Sequence, residues 1–456
     1  MKRILSLFLS LSCLLALCAC GGAQQPDPGT GALTSPVYPS MHPQPNQADY
    51  ATADGWDVSE EYYTALRAWR EDLDSLRGHD ADYAAGLTPW FAGSIRQFLS
   101  GAEGENRVCS PLNIAMALSM LAEVTDGESR QQLLDLLGVR DLDALRAQAA
   151  ALWKVNYQDD GVTASILANS LWLDQDLRYE TEALENLAKY YYAAGFSGQM
   201  GSPAYDALLQ SWLNEQTGGL LEKQASGLHM APETVLALAS TVYFKSPWES
   251  SFYSGATGSG LFHSPDGEQT VDFMHRSDET AYYWGERFSA VGLALEDGRV
   301  FWLLLPDEGV TPEELLEDEE AMDFLLTPEK LAWEQQKYLI VHLSVPRFDV
   351  SSDLDLIEGL QRLGITDVFD PTVSDFSPLI RGTDPIAVTQ ARHAARVHID
   401  EEGCEAAAYT VIMMEATAAA PPDDQVDFVL DRPFLFSITS PDGLPLFAGL
   451  VNHPAE

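Results

Sequence analysis

Basic residues are scarce in this 456-residue chain: 26 Lys and Arg face 69 Asp and Glu, a formal charge of −43. So negative a surface repels nucleic acid and anionic lipid, which excludes both as direct partners. Cysteine is sparse too, with five residues at 13, 18, 20, 109 and 404. Only Cys109 and Cys404 lie beyond the first twenty positions, too few for a disulfide framework and without CxxC metal spacing. The nine His residues form no HExxH pair, and no GxSxG elbow, Walker loop or Rossmann glycine pattern occurs. These absences argue against a hydrolase, a metalloenzyme or a nucleotide-dependent enzyme, and no cofactor is expected. What the chain does have is 46% hydrophobic and 10% aromatic residues, enough to build a large core and to exclude general disorder.

The amino terminus reads as a targeting segment. Lys2 and Arg3 precede an apolar run from Ile4 to Ala16, too short for a bilayer span and laid out like a secretory signal. It ends Leu17-Cys18-Ala19-Cys20. One reading is an ordinary small-residue cleavage site near Ala19. The other, favoured because the Cys follows Leu-x-Ala directly, is a resemblance to a bacterial lipobox, with cleavage after residue 19 and acylation of Cys20. A lipoprotein carries more than one acyl chain, which suffices for stable anchoring. The expected location is therefore the outer face of a bacterial membrane. Residues 21–46 contain six Pro and no Lys or Arg. They are expected to be a flexible tether, on the order of 30 Å in reach.

Beyond residue 47, helix and strand signals interleave without a strict βαβ rhythm. Ser110-Pro111 opens a helix running to Ala122, with Ile114, Ala117, Leu118 and Leu121 on one stripe. Asp126 to Leu137 and Thr181 to Ala194 read as further helices. Strand-like runs lie at 165–173, 235–244, 300–305, 338–345, 434–438 and 446–451. Several are apolar on both faces, so they belong inside sheets covered on both sides. The pattern predicts an α+β fold.

One segment resists that reading. Glu401-Glu402-Gly403-Cys404-Glu405-Ala406-Ala407-Ala408 leads through Tyr409–Met414 to a small-residue stretch and Pro421-Pro422. Taken alone it reads as an exposed loop or a marginal Ala-rich helix. As a strand it would carry Cys404, Ala406, Ala408, Thr410 and Ile412 on one small, mainly apolar face.

Several motifs now fall into one order. The hinge at 401–408 resembles that of inhibitory serpins, with Cys404 where Thr is usual. Phe428 to Ile438, with Asp431-Arg432-Pro433-Phe434, resembles the family signature, and Leu446 to Pro454 resembles the usual serpin ending. Asn106–Pro111, Leu167–Trp172, Trp212–Gly219, Tyr243–Trp248, Leu305–Gly309, Leu363–Ile365 and Asp375–Ser377 match in the same order. The resemblance covers about residues 85–454.

It implies a serpin fold: three β-sheets, about eight or nine helices and an exposed reactive loop. The implied division is a signal peptide over 1–19, Cys20 with its tether over 20–46, a helical extension over 47–84 and a serpin domain over 85–456. It implies a monomeric suicide-type inhibitor, not an enzyme. A target serine protease, or a cysteine protease, would cleave the loop and form an acyl-enzyme. The freed strand would then insert into the main sheet and distort the protease before deacylation. Counting from Gly403 puts the scissile bond at Thr417–Ala418. With no Lys or Arg between Met413 and Ala420, elastase-like or subtilisin-like targets are expected. Gly403 would give the hinge its backbone freedom, and Glu401 would pair with Arg347. Trp248 would stand where insertion begins. Ser110 and His393 match the cluster that controls sheet opening, with Ser240 replacing the family's Asn. The alternative is a non-inhibitory serpin acting as a surface binding protein, but such members tend to carry bulky, charged or Pro residues in the hinge, and this one has small residues and no Pro up to Ala420.

Overall fold

The computed structural model describes residues 32–51, 58–79, 82–328, 333–380, 386–404 and 424–455. Among the described residues, two large β-sheets and eleven α-helices share one core. The first sheet runs Ala32–Thr34, Ala193–Gly198, Ala164–Asp174, Leu236–Pro247, Gly403–Cys404, Arg392–Ile399 and Phe348–Asp355, with Gln158–Asp159 paired beside it. The second has nine strands. Its 18-residue strand Gly267–Trp284 pairs with Gly258–Ser264 and Gln336–Pro346 and, at its far end, with Phe288–Ala294. That continuity joins what would otherwise be separate second and third sheets. The expected α+β serpin architecture is present.

The strands predicted from doubly apolar runs stand where expected. Leu303 and Leu304 pair with Phe436 and Leu435, and Phe436 with Gly449; the Leu303, Leu304, Leu435 and Phe436 side chains are buried. More helices exist than the eight or nine expected. Glu222–Ala225, Pro312–Leu316 and Ile357–Arg362 are too short to show an apolar period. The helix expected over 181–194 ends at Tyr190. Tyr192 adopts φ +52°, and the chain then enters the strand Ala193–Gly198, parallel to Ala164–Asp174.

The helix Pro111–Glu123 lies in the core with almost every residue buried. Ser110 caps it by accepting the Asn113 amide, and Pro111 takes the first turn, where its missing N–H costs nothing. Under the first sheet, this helix supplies the floor of the site described below.

The span expected as a tether departs from that expectation over residues 32–46. Ala32–Thr34 adds an antiparallel strand to the sheet edge, with Ala32 opposite Phe196. Tyr38 packs on Trp153, Tyr157 and Tyr192, with ring centroids 5.1, 5.8 and 6.3 Å away. The Tyr157 hydroxyl donates to the Pro39 carbonyl at 3.1 Å, and the Gln44 amide to Asp160 at 3.0 Å. A Pro-rich composition says little about one aromatic ring that finds a stacked pair to cover. The helix Glu60–Arg77, within the expected extension, docks beside this arm. Its Trp69 donates to the buried Asp160 carboxylate at 2.8 Å, and Arg77 donates to Gln158 at 3.0 Å.

Candidate functional site

The site is a break in the first sheet. Leu236–Pro247 and Arg392–Ile399 run side by side, yet among the described residues the only strand joining them is the two-residue Gly403–Cys404. Gly403 stands opposite Pro247 and Cys404 opposite Ser246 on one side; Cys404 stands opposite Ile399 on the other. Farther along the break, residues 236–240 are half-exposed despite being mostly apolar. An apolar cleft of about 210 Å³ lies there, with Leu118 and Leu121 below and Leu209 and Leu213 of the helix Pro203–Gln216 above. Two strand edges facing a gap over apolar side chains are an incomplete sheet, able to accept one more strand.

At the closed end, the turn into the hinge is locally determined. The Asp400 carboxylate accepts the amides of Glu402 at 2.9 Å and Gly403 at 3.3 Å, an Asx turn. Trp248 is buried and anchors this turn twice. Its indole donates to the Asp400 carbonyl at 2.8 Å and its amide to the Glu402 carbonyl at 3.0 Å. The Phe252 amide donates to the Glu401 carbonyl at 2.9 Å. The buried Glu401 side chain accepts from Arg347 and Thr257. Burial alone would push its carboxyl up, but the hydrogen bonds from Arg347 and Thr257 outweigh it and hold it below the usual range. The same hydrogen bond raises the Arg347 guanidinium further above its ordinary value.

Gly403 is held in close backbone contact. A Cβ there would meet the Ser246 carbonyl oxygen at 2.5 Å and the Pro247 Cα at 2.7 Å. Close backbone approach is a reason for glycine here, beside the hinge freedom the family resemblance implies.

A second cluster lies where the helix Pro111–Glu123 meets the gap. The Ser110 amide donates to His393 Nε2 at 2.9 Å, and its hydroxyl to the Leu446 carbonyl at 2.6 Å. Ser240 does not join this pair. Its hydroxyl reaches Asn113 and, at 2.7 Å, Asn169. The Asn113 side chain returns a bond to the Ser240 carbonyl at 3.1 Å, and Asn169 continues to the Tyr191 carbonyl at 2.7 Å. Asn113, whose amide bonds Ser110 Oγ, therefore links two groups that the sequence put in one. Ser240 is shorter than the family's Asn, and two long amides, Asn113 and Asn169, reach it.

Full burial lowers the His393 imidazole to about 4, with the Asp353 charge opposing only partly. This has a sign. Below the ordinary value near 6.5 the unfolded chain takes up a proton that the folded one refuses, so stability falls as pH drops from about 6.5 toward 4. Urea unfolding at pH 7 and pH 4.5 should show a loss of roughly 2–3 kcal/mol from this group. His393→Gln removes that part of the loss while the part due to carboxylates remains. Identical pH dependence in both proteins would exclude His393 as its source.

The structure thus brings together Trp248, Arg347, Glu401, Glu402, Gly403 and Cys404 at one end of the gap, and Ser110 with His393, and Ser240, near its middle. Glu405 to Ala408, Thr417, Ala418 and the Cys20 of the lipid expectation lie outside the described residues. Asp400, Thr257, Asn113 and Asn169 were not singled out from sequence. Asp400 had a local signal, an Asp three residues before a Gly; the others act only across the fold. Cys109 is buried, and burial pushes its thiol up to about 12, so no thiolate nucleophile stands there.

The family model described as serpin (serine protease inhibitor) matches residues 90–454. Serpin A3-1 of Bos taurus is 28% identical over 402 residues, covering 85% of this chain and 91% of that protein. An uncharacterized serpin-like protein of Thermococcus kodakarensis is 28% identical over 353 residues, covering 76% and 80%. The native-state crystal structure of tengpin, a thermophilic serpin, superposes with a TM-score of 0.73 at 24% identity, covering 82% of this chain and 95% of the other.

Proposed function

The chain belongs to the serpin family, and we propose that it is a suicide-type inhibitor of serine endopeptidases. In this reading the protease serine attacks the Thr417 carbonyl, the new amino group of Ala418 leaves, and an ester joins Thr417 to the enzyme. The freed segment after Cys404 then enters the gap as a full strand. The tethered protease is carried along and its oxyanion hole, worth about 3–4 kcal/mol, is disordered before water can deacylate it.

One observation carries the reading. The hinge already pairs with both flanking strands at one end of a gap that no other described strand fills. Continuing that register sets Ala406 opposite Phe244 and Val397, and Ala408 opposite Val242 and Ala395. Phe244, Val397 and Ala395 are buried, so only small side chains enter without displacing core atoms.

The test is incubation of the 32–456 chain with elastase-like, subtilisin-like and trypsin-like proteases, followed by denaturing electrophoresis. The expected result is a covalent complex with an elastase-like or subtilisin-like enzyme, none with trypsin, and a released fragment beginning at Ala418. Clean cleavage without complex by every enzyme would favour the non-inhibitory surface-binding reading. The location proposed with it is the outer face of a bacterial membrane, held through Cys20; Cys20→Ala should then move the protein from the membrane fraction to the medium.

A further inference from the structure

One imidazole sits between two carboxylates beside the turn that carries the hinge. Ala395, Val397 and Ile399 are buried, so alternation along their strand turns Arg396 and His398 to the face away from the core. There His398 stands directly opposite Asp349. Its Nδ1 lies 3.8 Å from the Asp349 carboxylate and its Nε2 3.9 Å from that of Asp400. Nδ1 is shut off from water and makes no hydrogen bond among the described residues. Asp400 divides its two oxygens. Oδ1 accepts the Glu402 and Gly403 amides, and Oδ2 faces the imidazole. Other charges around the ring are already engaged. Arg396 forks onto Asp349 at 2.7 and 2.5 Å, and these bonds hold that carboxyl below its usual range. Arg347 acts on Asp400 from across the turn, while its hydrogen bond goes to Glu401. Lys245 lies on the other flanking strand, next to Ser246. The segment over Arg396 reaches it with an uncharged group, the Leu220 carbonyl.

We propose that His398 is a positioning residue for the hinge: protonated, it bridges Asp349 and Asp400 and fixes the carboxylate that folds the Glu402–Gly403 turn. Its consequence for inhibition rests on the inhibitory reading, because that turn seats the rung Gly403–Cys404 between the two flanking strands. The chemistry is that of the two ring nitrogens. A neutral imidazole carries one N–H, so its other nitrogen turns a lone pair toward a carboxylate. The imidazolium donates at both nitrogens. A side-chain movement of about 1 Å then brings both contacts to charge-assisted hydrogen-bond distance. The bridge ties the hinge turn to the strand Phe348–Asp355 through Asp349. It is complete while the ring is protonated and is lost as pH rises through the imidazole titration. His393 acts with the opposite sign, and comparing variants at residue 398 at one pH cancels its contribution.

The experiment follows hydrogen exchange of the Glu402 and Gly403 amides by mass spectrometry in the wild type, His398→Gln and His398→Arg. The proteins are compared at equal pH, so intrinsic exchange rates cancel. At about pH 6 the wild type should exchange about three times more slowly than His398→Gln, and at about pH 8 the two should agree. His398→Arg, charged at both values, should keep its protection at the higher pH. In an Asp400→Asn background, His398→Gln should change nothing at either pH. Titration of an elastase-like or subtilisin-like protease should need roughly twice as much His398→Gln as wild type at the lower pH and equal amounts at the higher. An exchange difference of the same size at both pH values, or an Arg variant that behaves like Gln, would overturn the assignment and leave His398 a packing residue. Exchange differences with equal protease titres throughout would overturn its role in inhibition. If no protein traps protease while the exchange pattern holds, the inhibitory reading fails and the bridge stands. Normal trapping without the exchange difference would sink the bridge alone.

Discussion

Cleavage between Met413 and Ala420 is expected to raise the melting temperature of the protein by about 20 °C. The gap between Leu236–Pro247 and Arg392–Ile399 leaves two strand edges without partners among the described residues below Cys404. Roughly a dozen residues from Cys404 onward can fill it, and their hydrogen bonds, at about 0.5–1.5 kcal/mol net each, sum to the order of 10 kcal/mol. Apolar burial adds to this, because the continued register sets Ile412 opposite Leu238, a wall of the apolar cleft. For a chain of this size each kcal/mol moves the midpoint by about 2 °C. The uncut chain cannot take this step freely while the segment is tied at both ends, to Cys404 and to the strand Gln425–Val429. Differential scanning calorimetry before and after nicking is the measurement. An equal or lower midpoint in the nicked form would mean that the gap does not accept the strand.

Much of this architecture was legible from residue pattern, and the reason differs by element. The buried strands Val300–Pro306 and Phe434–Thr439 are mainly apolar on both faces, a pattern that a solvent-facing element does not carry. The helix Pro111–Glu123 announces itself through Ser110-Pro111. The site was legible only in part, because its geometry is made by contacts far apart in sequence. Nothing near Gly403 says that the Ser246 carbonyl will come within 2.5 Å of its missing Cβ. Nothing near Ser240 says that Asn113, 127 positions away, will supply the bond it needs. The arm at 32–46 misled for the opposite reason. Its composition averages out as linker, yet Tyr38 alone meets three aromatic rings. Composition measures what a segment can bury on its own, and this one is held by a surface that another part of the chain provides.

Ala406→Arg is expected to turn the protein from an inhibitor into a substrate. The two rungs that exist fix the face on which residue 406 would arrive. Cys404 is buried between Ser246 and Ile399, and two residues farther along the strand the side chain points the same way, between Phe244 and Val397. Both are buried, and Phe244 packs 6.5 Å from the Phe447 ring. A guanidinium placed there must shed its water, a cost of several kcal/mol, and the Arg299 guanidinium already lies 5.5 Å from the Phe244 ring. Even about 2.7 kcal/mol in the barrier slows insertion 100-fold. The competing step, hydrolysis of the acyl-enzyme, is chemistry of the protease and does not change. Partition therefore shifts: the loop is cut at an unaltered rate, the ester is hydrolysed, and active protease is released. Titrating a fixed amount of protease should need at least about ten times more variant than wild type for full inhibition, with little covalent complex on a denaturing gel. Ala406→Ser, small and able to hydrogen-bond, should behave nearly as wild type. Gly403→Val provides an independent check, since its branched side chain would strike the Ser246 carbonyl and undo the rung already present. If Ala406→Arg trapped protease with unchanged stoichiometry, the strand would be entering in a different register or not at all.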